Sequence, residues 1–185
     1  MEKYDLVPIR KNDCGAIKNI ADECFGVNYL TVSQIAKILE LPGVFLKVVY
    51  QKQIIGFCFA LRNMEVAELN NRIVNYSGDS ALLPNGIIKT IAVKPNFQQQ
   101  GYGTSLLLAA IEKMKILYGT TVFFYLAWTE SKSFNFTVKL KNIGFKNIEI
   151  IPNYWYDESI KLNYGCIRCG NPPCSCSLTL FKLTI

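Results

Sequence analysis

The stretch Ile87 to Leu108, I-I-K-T-I-A-V-K-P-N-F-Q-Q-Q-G-Y-G-T-S-L-L-L, restricts the fold more than any other part of the chain. Its opening residues are mostly β-branched, the mark of a strand from Ile87 to Val93, and Lys94-Pro95-Asn96 ends it. Gln98 to Gly103, Q-x-x-G-x-G, then opens a helix. Leu107, Ala110, Ile111, Met114 and Leu117 recur there at helical spacing, and Gly119 sits where a C-terminal cap belongs. The first turn of a helix presents unpaired N–H groups and the positive end of the dipole. Glycines there let an anion approach the backbone with no Cβ in the way. A lone G-x-G is often only a tight turn, but a strand before it and a helix after it favour an anion site. The spacing fits neither G-x-x-x-x-G-K-[ST] nor the dinucleotide pattern G-x-G-x-x-G.

The remaining segments give a mixed α/β order. Tyr4 to Arg10 is a short strand whose Pro8 places it at a sheet edge. Asp13 can cap a helix running to about Phe25, and Thr31 to Leu39 is a second helix with Ile35, Ile38 and Leu39 on one face, stopped by Pro42-Gly43. Val44 to Tyr50 and Ile54 to Leu61 read as a hairpin about Gln51-Lys52-Gln53. Met64 to Ser80 reads as a short helix and then a loop through Ser77-Gly78-Asp79. Thr121 to Trp128 is a strand. Lys132 to Asn142 is a helix with Phe136, Leu140 and Ile143 in line, and Phe145 to Ile151 and Leu178 to Ile185 are the last strands. The expected order is β-α-α-β-β-β-α-β-α-β-β.

With 185 residues, half of them hydrophobic and 18% charged, the chain is expected to fold as one compact domain spanning residues 1–185. Glu2, Lys3, Asp5, Arg10, Lys11 and Asp13 leave no apolar core for a signal peptide, and no apolar run reaches the roughly 18 residues of a membrane span. A soluble, cytoplasmic protein is the expectation. The net charge of +6 suits a polyanion, of which coenzyme A is one and nucleic acid another. There is no histidine, which removes the commonest general base and every Cys-His metal site.

I-A-V followed by Q-Q-Q-G-Y-G resembles motif A, [QR]-x-x-G-x-[GA], of the GNAT superfamily of N-acetyltransferases, and the element order from Tyr4 to Ile185 is similar to that fold, a mostly antiparallel mixed sheet flanked by helices. The resemblance implies an acetyl-CoA-dependent N-acetyltransferase acting on a primary amine of a small molecule or peptide. It places the coenzyme A pyrophosphate on Gln98, Gln99, Gln100, Gly101, Tyr102, Gly103 and Thr104, and the pantetheine arm on the backbone of Ile91, Ala92 and Val93. Ser133 to Phe145 resembles motif B, the helix beside the thioester, with Ser133 and Asn135 near the place of a common asparagine. In that family a neutral amine attacks the thioester directly in a ternary complex. The oxyanion leans on a backbone N–H near Val93, while a base and an acid move the protons.

Two familiar family positions differ here. The places of a Glu on the strand hold Ile87 and Lys89, and the place of a Tyr in motif B holds Leu140. Substitutes are Glu130 as base and Tyr154 or Tyr156 as acid, each of which also reads as an ordinary loop or wall residue.

Seven cysteines remain. Cys14, Cys24 and Cys58 lie in apolar stretches, whereas Cys166, Cys169, Cys174 and Cys176 crowd between the last two strands. C-I-R-C-G resembles a zinc knuckle, and four thiolates complete a structural tetrahedral zinc sphere closed to substrate, within a hairpin insertion spanning 164–177. A disulfide, a redox pair and inert thiols are the competing readings. Two further functions stay open: a coenzyme A-binding or protein-binding domain without turnover, and a nucleic-acid-binding zinc module. Against the latter, Glu149, Asp157 and Glu158 lie near the knuckle. The acceptor and the oligomeric state, a homodimer among them, are open.

Overall fold

The computed structural model describes residues 3–62, 85–128 and 135–185. The segment 64–80 lies outside the described residues, as do Glu130 and Ser133. Seven strands form one sheet: β1 (Asp5–Pro8), β2 (Gly43–Tyr50), β3 (Gln53–Arg62), β4 (Asn85–Val93), β5 (Val122–Trp128), β6 (Lys146–Ile151) and β7 (Leu178–Thr184). Their order is β1-β2-β3-β4-β5-β7-β6, and every neighbouring pair is antiparallel except β4 with β5. Pro8 indeed lies on an edge strand, where its missing N–H costs no ladder bond. The β2–β3 hairpin turns through Gln51 (φ 46°) and Lys52 (φ 65°), a left-handed pair whose twist matches the strands without the usual glycine.

Alternation along β3 distributes the core to two faces. Phe57, Phe59 and Leu61 pack beneath α1 (Cys14–Phe25) and α2 (Val32–Ile38). Cys58 and Ala60 face α3 (Tyr102–Tyr118), where Leu106, Leu107, Ala110 and Met114 are wholly buried. Each of the larger side chains contributes about 1.5–3 kcal/mol by leaving water. Leu117, expected in this stripe, is instead 63% exposed. At 3.6 residues per turn the stripe drifts from Met114 to Tyr118, whose hydroxyl donates to Gly43 O at 3.2 Å.

Thr31, the start of the expected second helix, caps α2 by accepting from the Gln34 N–H. Asp13 occupies the N-cap of α1, but its side chain makes no bond to that helix. Its Oδ2 accepts instead from the Arg10 N–H at 2.7 Å and from Lys47 Nζ at 2.6 Å. Burial acts to raise this carboxyl, but the Lys47 ammonium and the Arg10 N–H outweigh it and hold the carboxyl below its ordinary range. A depressed carboxyl contributes stability above its unfolded value and loses it as pH falls through the folded one. Both side chains of the pair are nearly enclosed, 13% and 11% exposed. Lys47→Met should therefore cost about 3–5 kcal/mol by stranding the buried carboxylate. Denaturant midpoints should show the double variant Lys47→Met with Asp13→Leu to be the more stable of the two.

On the same face as α3, α4 (Asn135–Ile143) buries Leu140 fully and half-buries Phe136 and Ile143. The observed order departs from expectation between β6 and β7, where a further helix, α5 (Tyr156–Leu162), precedes the cysteine loop. Strand β7 then inserts between β5 and β6.

Candidate active site

Strands β4 and β5 begin together and then part. Their parallel ladder runs from Asn85↔Val122 to Ile88↔Tyr125 and stops, although β4 continues to Val93 and β5 to Trp128. On its other edge β4 stays paired with β3 as far as Gly56↔Val93, and the Lys94 N–H bonds to Ile55 O at 2.8 Å. Alternation in an antiparallel ladder then turns the backbone groups of Ile91 and Val93 toward the gap. Consistently, Val93 O accepts from the Gln98 side chain at 2.9 Å and from Cys24 Sγ at 3.3 Å rather than from a strand. Burial pushes the Cys24 thiol up to about 12, so it serves as a neutral donor.

A cleft of about 410 Å³ opens on the α3 side of this gap. Ile91, Ala92, Val93, Gln98, Gln99, Gly101, Tyr102, Gly103 and Thr104, nine residues expected from the sequence, all line it. Gln100 does not: it is exposed, and its side chain donates to Asn96 O at 3.2 Å. Gly101 is the N-cap of α3 with φ 92°, a conformation that favours glycine, and a Cβ built on it would meet nothing within 4 Å. A Cβ at Gly103 would meet Phe136, Val93 and Ile91 at 3.8–4.0 Å, so the bare backbone there forms part of the cleft floor. The Thr104 hydroxyl, in the first turn of α3, is buried and has no hydrogen-bond partner among the described residues. Free N–H groups at a helix start together with an unpartnered hydroxyl suit a phosphate ester.

A second cavity, of about 660 Å³, lies on the opposite side of the gap between α1, β4, β5 and α5. Aromatic groups line it (Phe25, Tyr29, Trp128, Tyr154 and Trp155), with Asp157, Glu158, Lys89 and Lys161 as its charges. The Tyr29 phenol is buried, which raises its pKa well above the ordinary value, and the Glu158 carboxylate adds to the shift. It stands against the Thr90 hydroxyl, itself buried and without a hydrogen bond of good geometry.

Phe25, Ile91, Tyr125 and Trp128 line both cavities. Of these four, Tyr125 alone carries an O–H. Burial, with Cys58 and Tyr29 adding, holds that phenol protonated well above its usual range. Tyr154 lines only the second cavity. Tyr156 is 45% exposed on the first turn of α5 and lines neither. Glu130 and Ser133 fall outside the described residues, and Asn135 opens α4. Tyr125, Tyr29 and Thr90 carry no sequence signal that separates them from strand core or loop aromatics.

The four clustered cysteines come together with all Sγ atoms within 4.8 Å of one another. Cys166 to Cys176 is 3.8 Å, Cys169 to Cys174 is 3.8 Å and Cys169 to Cys176 is 3.4 Å. All are free thiols. Burial acts to raise Cys169, but hydrogen bonds from Ser175 and the neighbouring thiols outweigh it and bring it to about 7, while burial pushes Cys174 up to about 11.

The Acetyltransferase (GNAT) family model matches residues 15–136, and the chain belongs to that family. It is an acyltransferase that uses acetyl-CoA as the donor for an amine. Solved structures share the fold across nearly the whole chain. The ribosomal-protein-S18-alanine N-acetyltransferase of Escherichia coli superposes with a TM-score of 0.69 at 15% identity, covering 99% of this chain and 94% of that one. Arabidopsis thaliana NAA60 in complex with acetyl-CoA gives 0.71 at 14% identity, covering 99% of each. Ard1 from Thermoplasma volcanium gives 0.68 at 17%, covering 98% of each. No curated protein matches by sequence alone. Among the described residues no helix is long and apolar enough to cross a membrane.

Proposed function

We propose that the two cavities hold the two substrates of one N-acetyl transfer, acetyl-CoA on the α3 side of the gap and a primary amine on the α5 side. The parting of β4 from β5 carries this reading, because among the described residues it makes a shared border of the two cavities out of Phe25, Ile91, Tyr125 and Trp128. The N–H groups from Gln99 to Thr104, and the Thr104 hydroxyl, take the pyrophosphate, while the Gln98 N–H is held by Pro95 O at 3.2 Å. The gap-facing backbone of Ile91 and Val93 takes the pantetheine amides, and Ser133 and Asn135 are assigned beside it on resemblance alone.

Acetyl-CoA supplies a thioester carbonyl to a neutral amine and leaves as coenzyme A thiolate. The Val93 N–H, turned into the gap, is placed to steady the oxyanion. Tyr125 gives a proton to the departing sulfur, a role for which burial keeps the phenol protonated and neutral. Asp157 and Glu158 draw the ammonium in, and Glu158 receives its proton directly or through water, a place that Glu130 also stays open to fill. Tyr154 forms wall beside the amine.

Tyr125→Phe should lower kcat by about 100-fold while leaving the acetyl-CoA Kd nearly unchanged. The function itself is tested by mixing the protein with acetyl-CoA and a panel of primary amines, following free thiol and the acetylated product by mass. Leu140, wholly buried at the position where the family resemblance implies a tyrosine, favours a second reading in which coenzyme A binds without turnover. Acetyl-CoA binding with no thiol released from any amine would establish that reading instead.

A further inference from the structure

The 164–177 loop contains no helix and no strand beyond a single backbone pairing of Cys166 with Gly170. Ile167 and Arg168 at its tip are exposed, so the loop has little apolar core of its own. Yet it is tied to three separate elements of the site. The Gly165 N–H donates to Val27 O at 3.1 Å and the Ile167 N–H to Phe25 O at 3.2 Å, both at the end of α1. The Cys174 N–H donates to Ser159 Oγ of α5 at 2.8 Å. The Trp128 indole at the end of β5 donates to Cys176. Cys166 and Cys174 line the amine cavity, while Ile167 and Arg168 line the acetyl-CoA cleft.

Four ligands at about 2.3 Å in a tetrahedron stand roughly 3.8 Å apart. Three of the six sulfur separations, at 3.4–3.8 Å, match that edge; all six lie within 4.8 Å, and these three are far from the roughly 2.05 Å of a disulfide. Donors also ring the sulfurs, as around metal-bound thiolates: the Arg168 N–H approaches Cys166 Sγ at 3.4 Å, and Ser175 and Trp128 approach Cys169 and Cys176.

We infer that Cys166, Cys169, Cys174 and Cys176 bind one zinc ion, and that this ion holds together the wall shared by the amine cavity and the thioester end of the acetyl-CoA cleft. The second half rests on the acetyltransferase reading above. All four positions are protein thiolates, so the ion touches neither substrate. It acts by fixing the loop to which Phe25, Trp128 and Ser159 are bonded. The pyrophosphate loop lies on α3, which the cysteine loop's bonds do not reach.

The test uses the full chain. Metal analysis of the purified protein should find one zinc per chain, and cobalt substitution should give the absorption of a tetrahedral thiolate site. Trp128 and Trp155 are the chain's two tryptophans; both line the amine cavity and Trp128 also borders the acetyl-CoA cleft, so tryptophan emission reports on the amine cavity and the wall it shares with that cleft. Removing zinc should shift this emission and lower kcat/KM for the amine by about 100-fold. The acetyl-CoA Kd should change less than about tenfold. As a variant that keeps all four ligands, Trp128→Phe should weaken zinc about tenfold in chelator competition.

Absence of zinc and failure to take up zinc or cobalt would overturn the site. Bound zinc whose removal moved neither the emission nor the amine kinetics would overturn its role at the wall. So would loss of acetyl-CoA binding on removal, which would make the ion a support for the whole fold. A zinc-loaded protein with no acyl transfer would sink the acetyltransferase reading while leaving metal content and emission to decide the site.

Discussion

Gly101→Glu should abolish measurable acetyl-CoA binding in calorimetry while the protein stays folded. Gly101 is the N-cap of α3, and a side chain there enters open space, so nothing in the core is overpacked. Its φ of 92° makes any L residue strained, at a cost of about 1–3 kcal/mol. The helix N-terminus returns part of that to a carboxylate, about 0.3–1 kcal/mol. The bound anion suffers far more. A like charge about 4 Å from a phosphate oxygen costs about 4 kcal/mol at an effective dielectric of 20, enough to weaken binding more than 100-fold. Gly101→Ala bears the backbone strain without the charge, and it should keep most of the affinity. Equal affinity in wild type and the Glu variant would remove the pyrophosphate from this loop.

The legible parts of this chain were those written in short-range pattern. The strand, loop and helix from Ile87 to Tyr118, the β2–β3 hairpin and the edge placement of Pro8 each follow from residues within a few positions of one another. Helix α5 was hidden because two turns are too short for a periodic stripe, although Asp157 and Glu158 at its start and Lys161 at its end are the charges a helix prefers. Asp13 looked like a cap because local sequence cannot announce a partner 34 positions away, and Lys47 is that partner. Tyr125 illustrates the same limit at the site. In the sequence it is one aromatic in F-F-Y, and only the end of the β4 ladder at Ile88 makes it the hydroxyl-bearing residue among the four shared by two cavities. The cysteine cluster was visible as composition, but its bonds to α1, β5 and α5 depend on tertiary contact.

Gly26→Ala tests those bonds at their tightest point. Gly26 ends α1 with φ 121°, where an L residue is strained by about 1–3 kcal/mol. A Cβ there would also lie 1.6 Å from Gly165 O and 2.7 Å from its carbonyl carbon, which is backbone on both sides and has no flexible side chain to yield. Overpacking of that kind adds about 1–3 kcal/mol. Relief requires the cysteine loop to lift from α1, breaking Gly165 N–H to Val27 O and Ile167 N–H to Phe25 O together. Thermal denaturation should therefore show a total loss of about 2–6 kcal/mol. If the loop lifts while the remainder holds, tryptophan emission should shift and amine kcat/KM should fall as they do on zinc removal, with the metal still bound. Zinc content is then the discriminating measurement. Retained zinc with failed amine kinetics places the working contact between loop and α1, whereas unchanged stability and kinetics would mean that the two backbones do not meet at Gly26.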